Sequence, residues 1–456
     1  MTVRVECILP LSEPVASLAD YRARGGGEGL AAAQRDPAGV LAELAASGLR
    51  GRGGAGFPTA AKWASVRGAG GPNTYVVCNA AEGEPGTFKD RFLLRRNPYQ
   101  ALEGVAIAAC LLGASRAFIV IKRGYRREIA RLRVALDELQ AAGLLGPSPV
   151  QLVLGPDEYL LGEEKAAVEV IEGGDPLPRV FPPYQVGLFA RRDARNPVAM
   201  NNVETLANVP NIARCGAAWF RANGTDDSPG TMLFTLCGDV RRPGVHELPL
   251  GLPLRVLIDL VGGGAVSGSV KAVLPGASAG LLTAGQLDTP LDFEQLRAVG
   301  SGLGSGGFVV YDDSACIVAA VSAFAHFLAI ESCAQCPACK QGTHGIAAAL
   351  ARIEEGSGSD QDLDTLLAKC STVTGGRRCA LPLGAALLVR SAVEAFGDEF
   401  RAHLGRPCPR PRVLPVPKIV DYDEEAGRFC FDERYRLKQP DWTYAEPEPA
   451  AQERSA

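Results

Sequence analysis

The sequence predicts a multidomain α/β protein that ends in a helical bundle. Three observations carry this. Between residues 36 and 228, short apolar runs of strand character alternate with helical patterns, the signature of a mostly parallel sheet covered by helices. Near residue 229 the pattern changes to closely spaced strands and turns, which reads as a small α+β module over 229–313. From 314 to 408 the pattern is helical throughout, as expected for a bundle. At 456 residues the chain is too long for one compact core, and roughly two to four domains are expected.

The elements follow in order. Residues 1–35 read as an extension with a loose Gly25-Gly26-Gly27 run. A helix from Pro37, carrying Val40, Leu41 and Leu44, leads into the glycine-rich loop 48–58. Tyr75-Val76-Val77-Cys78 reads as a strand, 101–112 as a helix and 117–121 as a second strand. Ile129, Leu132, Leu136 and Leu139 mark an amphipathic helix by their spacing. A further strand is expected over 150–154. In the second module, 231–240, 244–247 and 269–274 read as strands, with a turn at Arg241-Arg242-Pro243-Gly244 and a helix over 254–261. In the tail, 409–456, a hairpin is expected over 420–431 and disorder after Trp442.

A net charge of -4 and the lack of any basic run give no nucleic-acid footprint, so that class of partner is excluded. Residues 1–16 carry Glu6 and Glu13 and no long apolar stretch, which does not fit a signal peptide. The most apolar run, 315–330, is short for a bilayer and holds Ser322 and His326; it reads as a buried bundle helix rather than a membrane span. A cytoplasmic location without direct membrane insertion is expected. Thirteen cysteines are an odd number for a disulfide scaffold, and most read as small buried hydrophobes. His246, His326, His344 and His403 show no ligand spacing to one another and are read as structural.

Cys333, Cys336 and Cys339 place three thiols within seven residues. Such a tight wrap suits three corners of a cubane iron–sulfur cluster, with the fourth ligand coming from a distance. Cys379 and Cys370 are the remote candidates. Zinc is the main competitor, although its structural sites usually pair two separated knuckles; a C-x-x-C redox motif would leave one cysteine idle.

The loop Arg50-Gly51-Arg52-Gly53-Gly54-Ala55-Gly56-Phe57-Pro58-Thr59 contains G-x-G-x-x-G, but a helix precedes it, not a strand. It does not fit an ordinary dinucleotide fingerprint. It does fit an anion site, because glycines admit backbone N–H groups to a phosphate and Pro58 suits a following helix start. Arg52 and Lys62 are expected to add positive charge. Two acidic loops, one with Asn79, Glu82 and Glu84 and one with Gly162, Glu163 and Glu164, follow strand patterns. Carboxylates there are placed to accept hydrogen bonds from ribose or amide groups, and Asn201 and Asn202 add amide groups. Each loop alone reads equally well as solvated turn chemistry.

Taken together, six stretches resemble one family. They are 48–59, 78–91, 201–206, 241–249, 331–339 and Cys379-Ala380-Leu381. The family is the NADH-binding flavoprotein subunit of respiratory complex I and its relatives in NAD-linked hydrogenases and formate dehydrogenases. The resemblance spans about residues 25–405. It implies a Rossmann-like FMN domain, a ubiquitin-like β-grasp (SLBB) module and a helical domain carrying a [4Fe–4S] cluster. FMN would be held by Gly51, Arg52, Gly53, Gly54, Ala55, Gly56, Phe57, Pro58, Thr59, Ala60, Lys62, Asn79, Tyr159, Gly162, Glu163, Glu164, Asn201 and Asn202. Phe57 would stack near the nicotinamide. Glu82 and Glu84 match family acids beside flavin and NADH, and Glu82 is the one residue nominated as catalytic. Cys379 matches the fourth cluster ligand, leaving Cys370 spare.

The implied activity is hydride transfer from NADH to FMN, with electrons passing singly to the cluster and on to a partner. No second cluster motif is visible in the chain, so a thioredoxin-like [2Fe–2S] subunit or other iron–sulfur subunits are implied, in a complex that is cytoplasmic or peripheral on the inner membrane face. Three positions depart from the family pattern, all on the NADH side. Ala81 replaces an Asp, Phe181 a Lys and Ser65 an aromatic; Ala60 and Lys165 differ more mildly. These favour, as the alternative, a flavin and iron–sulfur relay that serves another donor.

Overall fold

The computed structural model describes residues 4–446, apart from 11, 374, 376, 377, 411 and 415. Four parallel strands form the first sheet: β1 (Tyr75–Asn79), β2 (Arg116–Lys122), β3 (Val150–Gly155) and β4 (Val198–Asn202), in the order β3-β2-β1-β4. Their near-continuous apolar runs suit burial on both faces. Alternate side chains divide accordingly. Val76, Cys78, Ile119 and Ile121 pack with the helices Pro98–Leu112 and Val203–Cys215. Val77, Phe118, Val120 and Met200 pack on the other face with helix Glu164–Ile171. β1 pairs with β2 on one side and β4 on the other. The chain order therefore reverses at β1, and the carboxyl ends of β1 and β4 mark where an open sheet of this kind has its ligand crevice.

The second sheet holds β5 (Thr231–Gly238), β6 (Gly244–Pro249), β7 (Val270–Leu274), β8 (Leu282–Thr283) and β9 (Gly307–Asp312), in the order β6-β5-β9-β7-β8. Only β5 and β9 pair in parallel. Phe234, Phe308, Leu257 and Leu296 centre a separate core beneath it, giving a β-grasp. The expected helix over 254–261 is a π-helical run, Val256–Val261. The bundle follows as helices Ile317–Glu331, His344–Glu354, Asp360–Thr372 and Leu381–Ala402. The first of these is the most apolar stretch of the sequence and is buried on almost every side. Among the described residues no helix is long and apolar enough to cross a membrane.

The two ends of the chain differ from expectation. The glycine run is not loose: helices Leu18–Ala23 and Glu28–Arg35 flank it and bury Tyr21, Leu30 and Ala33. Gly25 and Gly27 make the turn between them at φ 87° and 91°. Upstream, the Glu247 carboxylate collects the N–H groups of Cys7, Ile8 and Leu9 at 3.0, 3.0 and 2.9 Å, so a buried acid anchors the amino-terminal segment. The tail forms the expected hairpin, β10 (Ile419–Asp423) with β11 (Arg428–Phe431), and then buries Tyr435 and Lys438. Past Trp442, Gln439 N–H still donates to Thr443 and Ala445 N–H to Leu437, each at 2.8 Å. The rest of the stretch expected to be disordered, 447–456, lies outside the described residues.

His246 on β6 makes a pH prediction. Its Nε2 is buried without a hydrogen-bond partner. Burial, with Arg4 and Arg242 nearby, pushes its pKa down to about 3. Below the ordinary value of about 6.5 the unfolded chain takes a proton that the folded chain refuses. This site should therefore cost stability as pH falls from about 6.5 toward 3, at up to about 1.4 kcal/mol per pH unit. His246→Gln should flatten that slope. Denaturation curves of both proteins at pH 7 and pH 5 check it; equal slopes would refute it.

Candidate functional site

The glycine-rich loop lies over the crevice. Gly51 N–H donates to Phe57 O and Thr59 N–H to Leu49 O, each at 2.9 Å, so the loop closes on itself. Gly56 sits at φ 62°, and a Cβ there would meet the Phe293 ring at 2.5 Å, so only glycine fits. At Gly53 a Cβ would stand 3.0 Å from Asn202 Cβ, at the end of β4. The N–H groups of residues 53–57 make no well-formed hydrogen bond to the described chain. Pro58 then starts helix Thr59–Ala69. A run of free amides ahead of a helix start is the chemistry of a phosphate cradle. Lys62 stands one turn in, donating to Met200 O at 2.9 Å and pairing with Glu164. Phe57 leaves its ring 54% exposed, an open stacking surface. These residues fit a flavin phosphate and ring.

Arg52 corrects the expectation of added charge at this cradle. Its guanidinium is fully buried and donates to Thr231 O, Arg50 O and Pro229 O at 3.1, 3.1 and 3.0 Å. It fastens the loop to the β-grasp and is not offered to a ligand.

The asparagines brace the crevice. Asn79 Nδ2 donates to Gly162 O at 2.7 Å, joining β1 to the turn at Tyr159–Gly162. Asn201 Oδ1 accepts from Trp63 Nε1 at 2.8 Å. Asn202 caps helix Val203–Cys215 by accepting from Glu204 N–H, and donates to Asp90 at 2.6 Å. Glu163 caps its own helix, accepting from Lys165 N–H at 2.8 Å and Ala166 N–H at 3.1 Å. Burial pushes the Glu163 carboxyl up to about 7, against the pull of Lys165.

The acidic loop after β1 is turned inward, a second correction. Glu82, nominated as catalytic, accepts from Asp90 N–H at 3.0 Å and Arg91 Nε at 3.1 Å. It is a buried helix cap and ion-pair partner. Glu84 accepts from Tyr159 OH and Ala277 N–H, both at 2.7 Å, and burial raises its pKa. Both carboxylates are occupied by the protein rather than free for ribose or amide groups. Tyr159 N–H in turn donates to Glu331 at 3.0 Å. Glu331 precedes Cys333 by two residues and also receives Tyr435 OH at 3.0 Å and Lys438 Nζ at 2.8 Å. The tail thus reaches the junction between flavin crevice and cysteine loop.

Beneath the crevice lies a charge cluster that reading the sequence missed. Lys89 is fully buried and pairs with Asp90 at 2.6 Å and Glu204 at 2.7 Å. Asp90 holds Asn202, and Glu204 accepts Leu233 N–H of β5 at 2.8 Å. The one available signal was three consecutive charges, Lys89-Asp90-Arg91, running straight into Phe92-Leu93-Leu94.

Cys333, Cys336 and Cys339 sit on the loop between helix Ile317–Glu331 and the π-helical run Ala338–Thr343, and Cys379 just precedes helix Leu381–Ala402. Ala334 takes a left-handed conformation, φ 50°, and its N–H is capped by Ser332 Oγ at 3.0 Å. Strained backbone of this kind concentrates at functional sites. Cys339 feels the charges of Cys333 and Cys336, and Cys379 those of Cys339 and Cys333. The four thiols therefore share one neighbourhood. Cys370 feels no cluster cysteine, only burial and Arg390. Burial pushes the Cys379 thiol up to about 12, with Glu163 adding to the effect, so a bare thiolate is disfavoured there without iron.

Away from this site, His403 has close neighbours that the sequence did not reveal. Its ring faces Cys316, and Cys408 lies beside both. Cys408 is half-buried, and Cys215 and Cys430 are exposed, so not every scattered cysteine is core.

A phosphate cradle at an α/β switch point, joined through Tyr159 and Glu331 to a four-cysteine pocket, defines an iron–sulfur flavoprotein. The family models agree. Residues 44–211 match the Nuo51 FMN-binding domain, 233–275 the SLBB domain, and 319–403 the NADH-ubiquinone oxidoreductase-F iron–sulfur binding region. The NADH-quinone oxidoreductase F 2 subunit of Rhizobium meliloti is 43% identical over 86% of this chain and 96% of its own. The HndC subunit of the NADP-reducing hydrogenase of Solidesulfovibrio fructosivorans is 37% identical over 86% and 82%. The crystal structure of an NAD+-reducing [NiFe]-hydrogenase in the H2-reduced state superposes with TM-score 0.75 and 37% identity. That match covers 81% of this chain and spans 63% of the hydrogenase chain. The chain belongs to the family of NADH-quinone oxidoreductase F subunits.

Proposed function

We propose that this chain is the electron-input component of a cytoplasmic redox complex, taking a hydride from NADH onto FMN and passing electrons through a [4Fe–4S] cluster to a partner. One observation carries the reading: the crevice and the cysteine pocket share a wall. Tyr159 bonds the crevice acid Glu84, its N–H donates to Glu331 two residues before Cys333, and its ring packs 5.2 Å from Phe327 on the helix leading to Cys333. Short separation is what electron transfer between two such centres requires.

The amides of 53–57 and Lys62 bind the FMN phosphate, supported by Gly51, Thr59 and Ala60. Asn79, Tyr159, Gly162, Glu163, Glu164, Asn201 and Asn202 set the shape that orients the ring, and Phe57 covers it. Cys333, Cys336, Cys339 and Cys379 hold the cluster. When bound, FMN supplies a hydride acceptor that releases electrons singly. The flavin, β-grasp and cluster domains span 36–228, 229–313 and 314–408. The partner is an iron–sulfur protein, a thioredoxin-like [2Fe–2S] subunit being the first choice.

Anaerobic NADH titration of the FMN- and cluster-loaded protein, followed by visible spectra, tests this. Bleaching of the flavin band is expected, despite Ala81, Ser65 and Phe181. A loaded protein that stays oxidised under excess NADH and NADPH would overturn it and leave a relay fed by another donor. Lys62→Gln removes one charge-assisted phosphate contact. It should weaken FMN binding about 10- to 100-fold, read by fluorescence titration of the flavin-free protein. An unchanged affinity would remove Lys62 from the cradle.

A further inference from the structure

Far from the flavin crevice, Cys316, His403 and Cys408 bring three ligand atoms within 4.8 Å of one another. His403 Nε2 faces Cys316 Sγ at 3.3 Å. His403 Nδ1 donates to the Glu399 carbonyl at 2.8 Å, which leaves Nε2 as the lone-pair nitrogen. A metal-bound imidazole is held in this way, its second nitrogen tied to a carbonyl or carboxylate. Each sulfur also receives a backbone N–H, Cys316 from Ala319 and Cys408 from Arg410, both at 3.4 Å. Cys408 Sγ also lies 3.1 Å from the Arg410 carbonyl, and burial raises the Cys316 thiol, so in the metal-free protein both sulfurs keep their protons and a cation must displace them. Cys316 and His403 are fully buried. A Cys–His hydrogen bond alone accounts for two of these groups but not for the convergence of a third from a separate segment.

The location gives the site a purpose. Cys316 caps helix Ile317–Glu331, whose far end runs into Cys333. His403 caps helix Leu381–Ala402, whose near end follows Cys379. Cys408 lies where the chain leaves the bundle for the tail. The three ligands therefore tie together the ends, remote from the cluster, of the two helices that carry its cysteines.

We propose that Cys316, His403 and Cys408 bind one zinc-class divalent cation, with water completing a tetrahedral set, and that this ion braces the frame of the iron–sulfur pocket. Two sulfurs and one imidazole are a zinc donor set, whereas hard cations take oxygen. Binding displaces the two thiol protons and requires no redox step.

The test uses holoprotein from zinc-replete expression, with iron at cluster stoichiometry. Elemental analysis should find about one zinc per chain, and zinc-edge X-ray absorption should show about two sulfurs near 2.3 Å and about one protein nitrogen near 2.0 Å. Cys408→Ser should cut zinc affinity at least about tenfold and leave iron in place; Cys333→Ser should lose iron and keep zinc. If the variants fail to fold, the absorption spectrum of the unaltered protein still decides. Zinc below about 0.1 per chain would overturn the proposal. So would a shell of about four sulfurs, meaning zinc in the cluster cysteines, or a mass about 2 Da low from a Cys316–Cys408 disulfide.

Discussion

Cys379→Ser should leave NADH reduction of the flavin within about twofold of normal and cut electron delivery to an iron–sulfur acceptor at least about 100-fold. The residue sits in the same electrostatic neighbourhood as Cys339 and Cys333, and a cubane cannot keep its fourth corner without a thiolate there. The flavin cradle lies on other elements and should not respond. Cys370→Ser is the control, because Cys370 is buried on helix Asp360–Thr372 without feeling any cluster cysteine. It should change iron content and turnover by less than about twofold. Iron per chain, the electron paramagnetic resonance signal of the reduced protein, and stopped-flow flavin bleaching separate the effects. If Cys370→Ser lost the cluster and Cys379→Ser kept it, Cys370 would be the fourth ligand and the assigned set would be wrong.

Lys89→Met should strongly destabilise the flavin domain. Lys89 is fully buried between Asp90 and Glu204. Removing it leaves two carboxylates without a countercharge, and breaking a buried pair from one side costs about 3–5 kcal/mol. The loss should reach the site as well. Asp90 holds Asn202, which lines the Gly53 position of the cradle, so FMN affinity should fall together with melting temperature. Burial already lifts the Asp90 carboxyl to about 7 beside Lys89. Without the lysine it is raised further, so protonation stabilises the fold, and the deficit of Lys89→Met should shrink as pH falls from 7 toward 5. A triple variant that adds Asp90→Asn and Glu204→Gln should recover part of the loss, since it removes the stranded charges. A Lys89→Met protein that melts with the wild type would show that the cluster contributes nothing.

Several features were legible without coordinates because they are local. Tyr75-Val76-Val77-Cys78 and residues 117–121 are unbroken apolar runs, and that continuity is the mark of strands buried on both faces. Three cysteines in seven residues declare a cluster, because ligand spacing is a property of the chain itself. The Gly51–Pro58 loop declared an anion cradle for the same reason: N–H groups and a helix start are backbone features. By contrast, Glu82 and Arg52 looked like ligands from their types and neighbours. Charged side chains reach several ångströms, and their partners, Arg91 for one and Thr231 O and Pro229 O for the other, are chosen by how elements pack.

Periodicity and short-range spacing by themselves therefore carried the fold class, the glycine-rich loop and the Cys333, Cys336 and Cys339 motif, while Cys379 rested on the family resemblance. Only the tertiary structure decided what the long-range charges do. It buried Lys89 with Asp90 and Glu204, drew the tail onto Glu331 through Lys438, and brought His403 to Cys316 and Cys408. Lys89 and Glu204, Lys438 and Glu331, and His403 and Cys316 lie 115, 107 and 87 residues apart, and those pairings exist only because burial makes each charged or polar group find a partner, which no local pattern can specify.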